Sequence, residues 1–209
     1  VSTPQEAVNY MGMDTVKALV LSINAFAQYE GAQLGGITLE ALWNHSLVTA
    51  GYAKTIAREA GAGNRAVDEA FVAGMLHDAG KLALAANFAE EYEQVIELKK
   101  EEEIDTLAAE EKVFGMAHPD VGGHLLGFWG LPTAVVDAVS WHHDPMACLE
   151  HRFDALACVH AANAWAHAGE EEDPPKIDEA FYAEIGMDDS LDYWRDACLE
   201  PDTEDSAAV

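Results

Sequence analysis

Hydrophobic residues in this chain recur at every third or fourth position, and no segment sustains the residue-by-residue alternation of a half-buried strand. Such a chain buries its apolar stripes by packing helix on helix, so we read it as an all-α bundle. Helix starts and stops divide it. Thr3-Pro4-Gln5-Glu6 forms a capping box with proline in the first turn, where its missing N–H breaks no bond. Gly12 ends that helix, and Asp14 caps the next, to about Tyr29. Gly31, Gly35 and Gly36 mark a loop. Thr38 opens a helix with Leu39, Leu42, Trp43, Leu47 and Val48 at helical spacing, stopping near Gly61 and Gly63. Asn64 caps a helix carrying Val67, Ala70, Phe71, Gly74 and Met75, which ends in His77-Asp78-Ala79-Gly80-Lys81. Residues 88–113 read as charged helix, Pro119 and Pro132 start two more, and another runs from about Asp154 to Ala168. Acidic residues and the Pro174-Pro175 pair make 170–176 a linker. It separates a core (1–169) from a short helical appendage (177–200) built around Gly186-Met187-Asp188.

Charge narrows the partners. The 209 residues carry 38 Asp plus Glu against 11 Lys plus Arg, a net charge of -27. That field repels nucleic-acid backbones and anionic membranes, so neither is an expected partner. The longest apolar stretch, Ala18–Phe26, is broken by Ser22 and Asn24 and falls short of the roughly 20 residues a membrane span needs. Cys148, Cys158 and Cys198 are odd in number and far apart, which argues against a disulfide framework and for a reducing cytoplasm. Val1-Ser2-Thr3-Pro4 holds neither a basic region nor an apolar run, so no secretory signal is expected. The chain begins without Met and is expected to be a segment of a longer protein.

Chemistry concentrates in histidine. His77-Asp78 closes an apolar helix, where adjacent side chains can turn toward one point because the chain leaves helical geometry. Imidazole and carboxylate together suit first-row divalent metals such as Fe, Mn, Zn or Ni. His45 lies mid-helix between Trp43 and Leu47, His118 precedes Pro119-Asp120, and His142-His143 follows an apolar helix. Singly, each of these is an ordinary core or capping histidine. We read His124, His151, His160 and His167 as ordinary throughout. The informative feature is the ordered set.

That set, His45 followed by Leu76-His77-Asp78-Ala79-Gly80-Lys81, resembles the signature of the HD superfamily of metal-dependent phosphohydrolases. The surrounding phrases resemble more particularly the HDOD family. They are Ser2–Ala7 leading to Met11-Gly12, Leu42-Trp43-Asn44-His45-Ser46, Gly74–Asp78, and Glu110–Gly115 before His118. They continue in Gly122–Leu126, in Trp129-Gly130-Leu131-Pro132, and in Trp141-His142-His143-Asp144-Pro145. The resemblance implies an HD-like helical bundle in which residues 1–37 are the remnant of an N-terminal helical part.

The resemblance also implies ligand roles. His45, His77 and Asp78 would hold a first divalent transition metal. Asp78 would bridge to a second, held by His118, His142 and His143, and Lys81 would stand near a substrate phosphate. Two departures stand out. Where the superfamily has its last metal-binding Asp, this chain reads Ala162-Asn163, a neutral and weaker ligand. The tract typical of HD-GYP phosphodiesterases is replaced by Met116-Ala117-His118-Pro119-Asp120, with Asp120, Asp137 and Asp144 left open as substitute carboxylates. The implied function is a cytoplasmic signal-transduction output domain with a vestigial or partial metal site, working through a signalling protein or a small nucleotide ligand. The alternative is a metal-dependent phosphohydrolase of nucleotides or cyclic dinucleotides. There, water acidified by metal would attack phosphorus while Lys81 steadies the anion.

Overall fold

Thr38 caps the first described helix as expected: its extended backbone (φ -112°, ψ 141°) lets its hydroxyl accept from Ala41 N at 3.1 Å. The computed structural model describes residues 34–167 and 176–199, with Val16, Val20, Tyr29 and Gly31. The capping box at Thr3, the helix from Asp14, most of the 170–176 linker and the tail from Pro201 lie outside the described residues. Among those described, all regular structure is helical.

Helix α1 (Leu39–Glu59) buries Leu42, Ser46, Thr49, Ala50, Ala53, Ile56 and Ala57. Leu47 and Val48, expected on the core face, are instead 47% and 43% exposed. The buried stripe runs through Ser46 and Thr49, small side chains that let neighbouring helices approach. Helix α2 (Asn64–Leu76) takes Gly63 as its cap, so Asn64 is the first helical residue rather than the cap. Helix α3 (Ala79–Asn87), which the sequence reading had not separated, begins immediately after, with Asp78 as its N-cap.

The charged stretch splits into α4 (Ala89–Glu102) and α5 (Thr106–Phe114). Glu103 between them is left-handed (φ 53°), and Asp105 caps the second through Ala108 N at 2.8 Å. Then come α6 (His118–Phe128), α7 (Thr133–Trp141), α8 (Ala155–Ala166), α9 (Glu179–Glu184) and α10 (Leu191–Leu199). Asp154 and Asp178 cap α8 and α9 with their side chains.

Helix α8 is buried almost all round and forms the axis: it packs on α1, α2 and α7. Helix α6 lies between α3 and α7, while α4 and α5 pair. Phe181, Tyr182 and Trp194 of the C-terminal helices are buried in the same apolar cluster as α1, α2 and α8. Burial of one such side chain, Phe181, contributes about 2 kcal/mol. Two glycines set the spacing around the site. A Cβ on Gly74 would fall 2.6 Å from Ala50 Cα, and one on Gly80 would overlap the carbonyl of His118. Only glycine allows α2 so near α1 and α3 so near the start of α6.

Candidate metal centre

The residues singled out by order come together in space. His45 reaches in from α1, His77 ends α2, Asp78 starts α3, His118 starts α6, His142 ends α7 with His143 beside it, and Asn163 comes from α8. His77, Asp78, His118, His142 and Asn163 are all buried. At Asp78 the backbone departs from the helix (φ -99°, ψ 12°), which turns its carboxylate back beside the His77 ring.

Asp78 faces two clusters. Its Oδ2 lies 3.5 Å from His77 Nε2 and 4.0 Å from His45 Nε2, and its Oδ1 lies 3.2 Å from His118 Nε2 and 3.9 Å from His142 Nε2. One group therefore comprises His45, His77 and Asp78, and the other His118, His142 and His143; each offers ligand atoms mutually within 4.8 Å.

Hydrogen bonds orient the rings. His77 Nδ1–H donates to Gly74 O at 2.8 Å, His142 Nδ1–H to Val139 O at 2.9 Å, and His118 Nδ1–H to Glu110 Oε2 at 2.7 Å. Each bond leaves Nε2 turned inward, the arrangement a metal-ligating histidine needs. Asp78 Oδ1 and His142 Nε2 have no hydrogen-bond partner although fully buried. Lone pairs facing one another without a donor are reconciled by a cation, either a proton or a metal ion. The donor set therefore fits a divalent transition metal.

Burial also favours the neutral form of His77, His142 and His143. It pushes His77 down to about 4, with His45 and Lys81 assisting against Asp78, and it holds His142 and His143 well below the usual imidazole range. Burial alone would raise Asp78, yet His77, Lys81 and His118 together hold it well below the usual carboxylate range. Neutral imidazoles around an ionised carboxylate are the forms that bind metal.

Lys81 stands at the centre, but its Nζ donates to Asp78 Oδ2 at 2.8 Å. Asn163 lies beside the first cluster, with Oδ1 accepting from His45 Nε2–H at 3.0 Å. Asp120, Asp137 and Asp144 belong to neither cluster. Asp120 instead caps α6 through Ala117 N at 3.1 Å.

Three participants had escaped notice. Glu110 of α5, fully buried, accepts from both the backbone N and the Nδ1 of His118, each at 2.7 Å, and Tyr92 O–H donates to it at 2.9 Å. His167, read as ordinary, lies with its ring centroid 4.1 Å from that of His45, and burial lowers it to about 3. Glu110 opens the Glu110–Gly115 phrase that precedes His118, which marked its position but gave it no role, and nothing in the sequence marked Tyr92 or His167.

An all-helical bundle with a His/Asp centre where its helix ends converge is the HD-superfamily class of fold. A solved HDOD domain protein of unknown function from Geobacter sulfurreducens shares it with 26% identity and a TM-score of 0.71, covering 96% of this chain and 75% of that one. The MmoQ response regulator of Methylococcus capsulatus shares the fold at 24% identity and a TM-score of 0.57, over 93% of this chain and 75% of its own. An uncharacterized protein of Treponema pallidum (strain Nichols) is 22% identical over 158 residues, which is 76% of this chain; the chain spans 30% of that relative's length. The HDOD domain family pattern matches residues 1–145. The chain belongs to the HDOD family. Among the described residues, no helix is long and apolar enough to cross a membrane.

Proposed function

We propose that this chain is a signal-transduction output domain whose centre is a partial HD metal site, used for binding and conformational signalling rather than efficient turnover. The observation that carries the reading is Asn163: a neutral amide oxygen stands 3.0 Å from His45 Nε2 where a charged ligand would complete the first cluster. His45, His77 and Asp78 would hold one ion there, and His118, His142 and His143 with Asp78 a second. When bound, such ions supply Lewis acidity toward a phosphoryl oxygen and acidify water. Family membership and the likeness to a response regulator support a regulatory role. Lys81 supports it too, because an ammonium already paired with Asp78 at 2.8 Å is not free to grip a phosphate. The partner on this reading is a signalling protein or a small nucleotide.

Convergence of six ligand positions favours the hydrolase as the second reading. Assays with cyclic dinucleotides and nucleoside phosphates, run with Mn, Fe, Zn or Ni, decide between them. Metal uptake with negligible hydrolysis is expected; robust metal-dependent turnover would sink the regulatory reading.

A further inference from the structure

The two halves of the centre are built differently. In the half lined by His45 and His77, the inward atoms are already engaged with one another. His45 Nε2 lies 3.0 Å from Asn163 Oδ1 and 3.2 Å from His77 Nε2, and Asp78 Oδ2 accepts from Lys81 at 2.8 Å. An ion entering there must break these bonds. The one carboxylate it gains is Asp78, whose facing oxygen is shared with an ammonium.

In the other half the atoms wait. Asp78 Oδ1 and His142 Nε2 are buried without partners, and His118 Nε2 lies 3.2 Å from that oxygen. Its one internal bond, His143 Nε2 to His118 Nε2 at 3.3 Å, is released when a neutral imidazole moves its proton to Nδ1. Behind His118 stands Glu110, a fully buried acid fixed by Tyr92, by the His118 backbone N–H and by the ring itself. A carboxylate on the far nitrogen of a ligating histidine fixes ring and tautomer and raises the basicity of the near nitrogen.

We infer that the His118–His142–His143 cluster is the primary divalent-metal site of this protein, filled before the His45–His77–Asp78 cluster, and that Glu110, held by Tyr92, is the positioning residue that gives it priority. The inference rests on the reading that the centre holds metal, and it deepens that reading by assigning an order. The imidazoles of His118, His142 and His143 with Asp78 Oδ1 would offer three nitrogens and one oxygen, a donor set suited to Zn or Co.

The test is a titration of metal-stripped protein with Co(II), followed by its visible absorption and by calorimetry, with circular dichroism as the check on folding. The natural sequence takes up one equivalent tightly and a second more weakly. His45→Ala retains the tight equivalent, and His143→Ala loses it. Glu110→Gln weakens the tight step about 10- to 100-fold and leaves the weak one in place, a split that general destabilisation would not produce. Should Glu110→Gln fail to fold, Tyr92→Phe shifts the same step in the same direction by a smaller factor.

Loss of the tight equivalent in His45→Ala with retention in His143→Ala would overturn the order. Unchanged tight binding in folded Glu110→Gln would overturn the role of Glu110. Absence of cobalt uptake would overturn the whole inference while leaving the non-catalytic reading intact. Efficient phosphoester hydrolysis with one tight equivalent bound would do the reverse.

Discussion

Replacing Asn163 with Asp should make the metal-free protein less stable and the metal-bound protein more so. The amide oxygen stands 3.0 Å from His45 Nε2, which lies 4.0 Å from Asp78 Oδ2, and positions 163 and 78 are 2% and 1% exposed. The new carboxylate therefore lies within about 7 Å of an existing one, where two like charges repel by about 2 kcal/mol at the effective dielectric of a protein. Desolvation of the new charge adds to that cost. For a chain of 209 residues, a loss of 2–3 kcal/mol lowers the melting temperature by roughly 5–10 °C. A divalent ion reverses the sign, because it converts repulsion between carboxylates into attraction by both. Each tenfold gain in affinity adds about 1.4 kcal/mol at saturating metal. Differential scanning calorimetry of both proteins in chelator and in excess Mn(II) or Ni(II) reads the two effects separately. Equal melting temperatures in chelator together with equal metal-induced shifts would refute the placement of position 163 at the metal.

Acid should destabilise the metal-free protein in a defined window. The folded pKa of His77 is lowered to about 4 from 6.5, so the unfolded chain binds more protons and stability falls as pH drops from about 6.5 to about 4. His77 alone accounts for about 3 kcal/mol of that loss. His142, His143, His160 and His167 act in the same direction, and Asp78 adds its own loss below about 3.8. Urea unfolding in chelator across this range checks it, and a flat profile would contradict it. Gly80→Ala should drive α3 from the start of α6 and separate Asp78 from His118. Near-ultraviolet dichroism and cobalt uptake should fall together; retention of both would show that the helices can yield. His160→Ala should cost about 2–4 kcal/mol, since its Nδ1–H donates to His142 O at 2.7 Å and its Nε2 accepts from Asp178 N at 2.9 Å. Hydrogen exchange at the Asp178 amide should accelerate, and an unchanged rate would sink this account.

Helix positions were legible because caps and breakers act locally. Thr38, Asp154 and the glycines near 61 each sit where a helix begins or ends. The core face of α1 was misread at Leu47 and Val48 because tertiary spacing, set by Gly74 against Ala50, favours Ser46 and Thr49 over larger apolar side chains. The boundary at Asp78 was obscured because the cap that ends α2, His77, is followed at once by the cap that starts α3, Asp78. Site residues carried by motif order, such as His45 and His77-Asp78, could be named from the chain. Glu110, Tyr92 and His167 could not, because their roles arise from contacts across helices: 18 positions separate Tyr92 from Glu110, and His167 meets the ring of His45 on a different helix.

On the proposed reading, Asn163 also bears on how such a centre would signal. A ligand shifts a population only when the two states it discriminates lie within a few kcal/mol of one another. With a carboxylate at position 163, the metal-free interior would hold Asp78, Glu110 and a third buried acid against the ammonium of Lys81. Such a centre would be strongly biased toward permanent occupancy. With the amide, Asp78 Oδ2 is balanced by Lys81, Glu110 is satisfied by Tyr92 and His118, and the His45 side closes on itself through Asn163. On the proposed reading, the amide would thereby bring the metal-free and metal-bound states closer in energy. Metal binding at the His118 side would then act first on the ends of α6 and α7, where His118, His142 and His143 reside, rather than on the α1–α8 contact.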